Sequence, residues 1–195
     1  MKVEVRFEDQ RLQKYLIQIP QHIPKGIARG LNRAGRPTAT KFLREAKKAL
    51  GIGRPRGALD WSDPAKKASV QKAASAGNLR YLLVGFGKPL SLKYFRAQET
   101  RAGVSATPMN VRKVFPSTFI KGGLFPNRKD IGKGGTVFKR TSKKRLPIEK
   151  QFGPAFPEGF SQPAPVRTWE GEGGSRAIND IIKELDAILK GYAPK

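Results

Sequence analysis

The chain has 195 residues, with 39 Lys and Arg against 15 Asp and Glu, so its formal net charge at pH 7 is +24. A compact protein with that surplus repels itself, and its expected neighbour is a polyanion such as nucleic acid or an anionic membrane surface. The absence of cysteine excludes a disulfide framework, a thiolate zinc site and a thiol nucleophile. No apolar run approaches the roughly 18 residues needed to cross a bilayer.

The positive charge is confined to the middle of the chain. Residues 1–20 carry a net charge of +1 and residues 151–195 carry −1, whereas residues 21–60, 61–120 and 121–150 carry +8 each. We therefore expect the middle of the chain to meet the polyanion, and the near-neutral ends to make protein contacts.

The predicted elements begin with a strand and a long helix. Residues 2–7 alternate polar and apolar side chains, which is the period of a half-buried strand. From residue 24 to residue 50, apolar or small residues recur every three or four positions and predict one buried helical stripe. Seven bases follow the same spacing two residues out of phase, on the opposite side of the helix. They are Lys25, Arg29, Arg33, Arg36, Arg44, Lys47 and Lys48.

Proline and glycine punctuate this helix. Pro37 removes a backbone hydrogen bond and predicts a kink or break. Gly51 and Gly53, followed by Pro55, predict the end of the helix. Residues 51–65 then read as an exposed, extended loop.

Short strand-like segments with turn residues between them occupy the middle of the chain. They are 68–74, 79–86, 103–107, 111–115 and 135–140. Together they predict a small, mostly antiparallel sheet. Residues 121–134 are too rich in glycine and charge to pack, which predicts a mobile, extended loop.

The last element is a second amphipathic helix. Ser175 follows two glycines and is suited to cap a helix that carries a strong apolar stripe up to Leu189. The predicted fold class is therefore α+β, with a long basic amphipathic helix packed on a small sheet. Residues 1–160 form one predicted domain, and residues 161–195 form a linker and the C-terminal helix.

The sequence offers little for catalysis. His22 is the single histidine, and a lone loop histidine is more often solvent-facing than catalytic. The carboxylates are dispersed, so the acidic cluster of a two-metal nuclease is not apparent. Glycine-rich segments at 85–89 and 132–136 lack the spacing of a phosphate-binding loop. We expect a protein that is not an enzyme and has no catalytic residues, metal or cofactor.

Nucleic-acid contact is the strongest physical prediction. The predicted helix of residues 24–50 contains only one acid, Glu45, whereas solvated helix faces normally mix the two signs. A second basic group comprises Lys139, Arg140, Lys143, Lys144 and Arg145. Cationic side chains on phosphates position a protein without reading the bases, so we expect this binding to be non-specific.

Three blocks of sequence carry a resemblance to a known family. The first is Pro24-Lys25, Ala28, Leu31-Asn32-Arg33 and Thr38, with the basic helix that follows them. The second comprises residues 87–92 and 95–105, in which Glu99 is inserted between a glutamine and a threonine. The third comprises residues 116–120, 135–140 and 144–157. In this order they resemble the minor tail protein Z family, the tail completion proteins of long-tailed bacteriophages.

The resemblance implies a structural virion protein at the head-proximal end of the tail, made in the host cytoplasm and acting in tail completion and head joining. It implies a ring, with six copies expected. The implied partners are tail terminator, stopper or tube proteins and the end of the packaged double-stranded DNA, with no membrane.

An assembly interface is expected around the third block and on the last helix. Leu146 and Ile148 flank Pro147, which cannot occupy a central strand. The segment therefore either forms an edge for a neighbouring subunit or only turns a corner. The candidate interface residues are Leu146, Pro147, Ile148, Phe152, Ile181 and Leu185.

Two alternatives to the tail protein stay open at this point. A freestanding, non-specific nucleic-acid-binding protein would have the same charge distribution. A phage nuclease is disfavoured because metal-binding carboxylates are missing from the basic region.

Overall fold

The computed structural model describes residues 3–6, 23–53 and 68–189, so residues 54–65 of the predicted loop lie outside the described residues. The long helix α1 (Ile23–Ala49) confirms the predicted element. Its apolar stripe is buried, and six of its seven predicted bases are exposed, with Lys47 half-buried. The predicted separation of an apolar and a cationic face along this helix is therefore confirmed.

The helix continues through Pro37, so the predicted break there is wrong. A proline inside a helix costs about 3 kcal/mol, and packing on both sides of Pro37 opposes that cost. Gly35 lies so close to the Tyr81 ring that a Cβ atom added at residue 35 would be 2.5 Å from it. On the other side of Pro37, the buried Thr38 lies so close to Gly173 that a Cβ atom added at residue 173 would be 2.8 Å from the Thr38 Cγ2 atom.

The end of α1 was predicted correctly, and its geometry explains the glycine. Gly51 has a φ of +75°, which a residue with a side chain rarely adopts. Its N–H donates to the Lys48 carbonyl, and the Ile52 N–H donates to the Lys47 carbonyl, both at 3.0 Å. This pair of bonds is the Schellman arrangement. The Asn110 side-chain amide also donates to the Lys48 carbonyl, at 2.8 Å.

The chain forms two compact units that alternate along the sequence. The first unit comprises residues 1–45, 69–86 and 160–195, and the second comprises residues 46–68 and 87–159. This division differs from the predicted one, because residues 160–195 belong to the same unit as most of α1.

The first unit contains a three-stranded antiparallel sheet in the order β1-β3-β2. Its strands are β1 (Val3–Arg6), β2 (Ser69–Lys72) and β3 (Leu82–Gly85), and each falls within a predicted segment. Asn32 of α1 pairs with the backbone just after β2. Its side-chain amide donates to the Ala74 carbonyl at 2.9 Å and accepts from the Ala74 N–H at 2.7 Å. Asn32 thereby substitutes for a neighbouring strand at that residue.

A run of helical segments completes the first unit. It consists of α2 (Pro163–Arg167), a π-helical segment (Thr168–Gly173) and α3 (Gly174–Leu189). Much of the predicted linker is therefore helical. The prediction that Ser175 caps α3 is also wrong, because helical structure precedes it and its hydroxyl donates to the Gly171 carbonyl at 3.1 Å.

The core of the first unit joins α1 to α3 and to an aromatic cluster. Ile27, Leu31 and Ile181 belong to one buried apolar cluster. Beside it, the Phe42 ring makes edge contacts with the rings of Phe160 and Trp169, at centroid distances of 4.8 and 5.6 Å. Burial of this apolar area supplies most of the unit's stability.

Tyr81 sits in the same core and gives a pH-dependent prediction. Its hydroxyl donates to the Gln71 side chain at 2.5 Å, and burial raises the pKa of Tyr81 above 10.0, while the nearby Arg36 lowers it. The unfolded chain therefore loses this proton first, and the stability that Tyr81 contributes is complete below about pH 10. It declines as the pH rises through the folded pKa.

We therefore expect Tyr81→Phe to lower the free energy of unfolding by about 1 kcal/mol at pH 8 through the lost hydrogen bond. The difference in the free energy of unfolding between the variant and the wild type should become smaller above pH 10, because only the wild type loses stability as Tyr81 ionises. Denaturant titrations of both proteins at pH 8, 10 and 11 measure it. A difference that stays constant over this range would contradict the raised pKa.

The second unit contains small antiparallel sheets. Its strands are β4 (Pro89–Ser91), β5 (Gln98–Thr100), β6 (Gly103–Ala106), β7 (Lys113–Pro116), β8 (Thr118–Phe119), β9 (Phe138–Arg140), β10 (Ile148–Lys150) and β11 (Phe152–Ala155). They form the sheets β5-β6-β7, β10-β9-β8 and β11-β4. Only β6, β7 and β9 overlap predicted segments, and the other five strands were not predicted. The chain divides the strands of this unit among several small sheets and not one, and each strand is only two to four residues long.

The glycine-rich segment 121–134 was predicted to be a mobile, extended loop, and in the structure this loop is closed at its base. The Gly122 N–H donates to the Lys129 carbonyl, and the Lys129 N–H donates back to the Gly122 carbonyl, both at 2.8 Å. The loop is therefore a small hairpin with a defined tip.

Candidate nucleic-acid interface

The positive charge is divided unequally between the two units. The second unit contains 22 Lys and Arg against 6 Asp and Glu, a net charge of +16, and the first contains 17 against 9, a net charge of +8. Two thirds of the surplus thus belongs to the unit built from short strands. The sequence segments did not reveal this, because each unit combines distant parts of the chain.

In the first unit, the basic face of α1 meets acidic side chains from the end of the chain. Arg33 lies 3.6 Å from a carboxylate oxygen of Glu184 on α3. Lys41 donates to the carboxylate of Glu172, which lies in the π-helical segment. Such exposed pairs contribute little stability. They do, however, reduce the charge that this face presents to a polyanion.

In the second unit, β9 and β10 form a hairpin whose loop and strands carry the other predicted basic group. We call residues 138–150 the basic hairpin. Its loop, residues 141–147, is fully exposed. The Thr141 hydroxyl donates to the Pro147 carbonyl at 3.3 Å, and the Lys144 N–H donates to the Ser142 hydroxyl at 3.2 Å. These local bonds shape the loop while its cationic side chains face solvent.

All five predicted bases of the basic hairpin are exposed. Lys139 lies opposite Glu149, the one acid of the hairpin, in the β9-β10 register. The Arg140 guanidinium lies 5.4 Å from the centre of the Phe119 ring on β8, a cation–π contact that positions it. The hairpin therefore concentrates cationic side chains on a small antiparallel scaffold.

The structure separates the predicted assembly residues into two groups. Leu146, Pro147 and Phe152 are exposed, and Ile148 is half-buried, all in or beside the basic hairpin. They remain available to a partner.

The two predicted assembly residues on α3 have a different environment. Ile181 is 2% exposed and belongs to the α1–α3 core cluster, against which Leu185 also packs. The prediction that Ile181 lies on an assembly surface is wrong, because its apolar surface is already covered by α1. Leu185 is half-buried in the same contact.

Sequence reasoning missed an ion pair at the base of the 121–134 loop. The Arg128 guanidinium donates to the Glu99 carboxylate, and these side chains are only 17% and 12% exposed. The same carboxylate oxygen accepts the N–H groups of Ile120 and Lys121, at 3.0 and 3.2 Å. One available signal was that Glu99 is the only acid between residues 68 and 129.

Neither a metal centre nor a membrane span emerges from the described part of the chain. Among the residues that the structure describes, no three His, Asp or Glu side chains are grouped as metal ligands. No helix within residues 23–53 and 68–189 is long and apolar enough to span a bilayer. Comparison with protein families, with curated proteins and with solved structures finds no match.

Proposed function

We propose that this chain is a structural protein of a phage tail or neck, acting in tail completion and head joining, and that it contacts packaged DNA through its second unit. The observation that carries the DNA contact is the basic hairpin. It contains a single acid, Glu149, and the five of its bases predicted to contact DNA, Lys139, Arg140, Lys143, Lys144 and Arg145, are exposed. Such a surface binds phosphates without selecting a sequence.

The arrangement of the family-like blocks supports the same proposal. The second and third blocks both lie within residues 87–159, which belong to the second unit. The two blocks thus form one scaffold, and its exposed side chains include Leu146 and Phe152. These apolar side chains suit a contact with a neighbouring subunit or another tail protein.

The proposal predicts assembly as well as DNA binding. In moderate salt, sedimentation of the purified protein should give a species of about six times the 21.5 kDa of one chain, or the chain should sediment with tails. Particles assembled without it should have full heads and unjoined or inactive tails. Normal infectivity in its absence would refute the tail role.

A freestanding nucleic-acid-binding protein remains the alternative, because the basic hairpin favours it equally. The same sedimentation experiment separates the two. A soluble monomer that coats double-stranded DNA, and that does not associate with itself or with tails, would support the alternative.

A further inference from the structure

The closed loop within residues 120–131 presents an apolar tip that the proposed function does not use. Leu124 at this tip is 88% exposed, the largest exposure among the exposed large apolar side chains of the described residues, and the neighbouring Phe125 is about half exposed. Exposing apolar side chains to water is unfavourable. The tip is thus a candidate contact surface.

The loop holds this tip in place from its base. Two backbone hydrogen bonds join Gly122 and Lys129, and the Glu99 carboxylate binds the chain at Ile120, Lys121 and Arg128. The Arg128 guanidinium also lies 5.9 Å from the centre of the Phe125 ring. A loop ordered before binding loses less conformational entropy when it meets a partner.

The charges around the tip indicate the chemistry of that partner. Lys121 and Lys129 lie at the base of the loop, Lys133 follows it in the chain, and all three are exposed. The one acid of the loop, Asp130, accepts the Gly132 N–H at 2.9 Å. An apolar tip on a cationic segment of the chain matches duplex DNA, which offers apolar faces between stacked base pairs and phosphates on either side.

We propose that Leu124 and Phe125 form a wedge that inserts between base pairs of duplex DNA while Lys121, Lys129 and Lys133 contact the flanking phosphates. Apolar side chains used in this way partly unstack a base step and bend the duplex. This inference rests on the proposed DNA contact and adds a deformation of the DNA to it.

A membrane fits the same observations less well. Binding to a lipid surface strengthens with the apolar area that becomes buried. Here only two large apolar side chains project, and a guanidinium lies over one of them. That area suits a single base step better than a bilayer interface.

The test uses the full-length protein and a 30-base-pair duplex with 2-aminopurine placed at its pyrimidine–purine steps, where unstacking is easiest. Wild-type protein should increase the 2-aminopurine fluorescence, and the double variant Leu124→Ala, Phe125→Ala should lose that increase. The salt slope of binding should stay unchanged in this variant, because no cation is removed. A matched control is Val111→Ala, Val114→Ala, which removes two half-exposed apolar side chains from the same unit.

Two further variants test the other parts of the proposal. One removes contacts of the lysines with phosphates, and the other removes the ion pair that positions the loop. Lys121→Gln, Lys129→Gln should lower the salt slope by about 2. Glu99→Gln removes the charge that holds Arg128, so it should reduce the fluorescence increase while leaving the slope unchanged. Circular dichroism checks that each variant is folded.

The outcomes distinguish this inference from the proposal on which it rests. Absence of DNA binding by the wild type would overturn the proposed DNA contact. Salt-dependent binding without a fluorescence increase, or an increase that persists in the Leu124 and Phe125 variant, would overturn the wedge alone. Tip-dependent binding to phosphatidylcholine–phosphatidylserine vesicles, without unstacking of DNA, would assign the tip to a membrane instead.

Discussion

Replacing the five bases of the basic hairpin that are predicted to contact DNA with glutamine should weaken binding to duplex DNA by about 10³-fold near 0.15 M salt. The variant changes Lys139, Arg140, Lys143, Lys144 and Arg145. Each cation that neutralises a phosphate contributes about 0.9 to the slope of log K against log salt. If all five contact phosphates, the slope should fall by about 4 to 5. Fluorescence anisotropy with a labelled duplex at several salt concentrations measures it.

The first unit supplies a control with the same change in net charge. It replaces five exposed bases on α1 with glutamine: Lys25, Arg29, Arg33, Arg36 and Arg44. We expect this variant to lose less affinity for DNA, because acids already reduce the charge of this helix face. Glu184 lies beside Arg33, and Glu172 pairs with Lys41 of the same helix. If the α1 variant loses more affinity than the hairpin variant, the principal DNA surface lies on α1.

Gly30→Ala should lower the free energy of unfolding by about 1 to 2 kcal/mol. A Cβ atom at residue 30 would lie 2.8 Å from the Ile181 Cα atom and 2.9 Å from its backbone nitrogen. Overpacking of this kind costs about 1 to 3 kcal/mol. This cost exceeds the gain in helix stability of about 1 kcal/mol that results from replacing glycine with alanine inside a helix. Because backbone cannot rotate away, α1 and α3 must separate. Urea denaturation followed by circular dichroism measures the change.

Gly26→Ala is the matched control, one turn earlier on the same face of α1. Its Cβ atom would meet only the end of the Ile188 side chain closely, at the Cδ1 atom, and a side-chain rotation can relieve that contact. We expect its stability to lie within about 0.5 kcal/mol of the wild type, since the gain in helix propensity offsets the rearrangement. Equal stability of the two variants would contradict a close backbone approach at Gly30.

The two helices show how the period of a sequence determines local structure. The spacing of apolar residues from Ile23 onward predicted α1, and Gly51 predicted its end. Two predictions from single residues were wrong: a break of α1 at Pro37, and a helix cap at Ser175 after two glycines. At these positions the local preference is weak or adverse, and packing against Tyr81 or within the first unit decides the outcome.

Part of the candidate DNA-binding surface was likewise predictable from the sequence, and part was not. The sequence identified the bases of the basic hairpin, because their density in one segment is visible without a fold. It did not identify the closed loop, whose order depends on Glu99, 29 residues before its ion-pair partner Arg128.

By itself, then, the sequence determined the class of secondary structure and the excess of positive charge. The tertiary structure decided which of those charges face acids, which apolar side chains are covered and which glycine-rich segment is closed. Lys41 and Glu172 are 131 residues apart, and Ile181 is buried only because α1 covers it. The physical reason is that periodicity reports interactions within a few residues, whereas the neutralisation of a charge and the burial of a side chain depend on segments that meet only after folding.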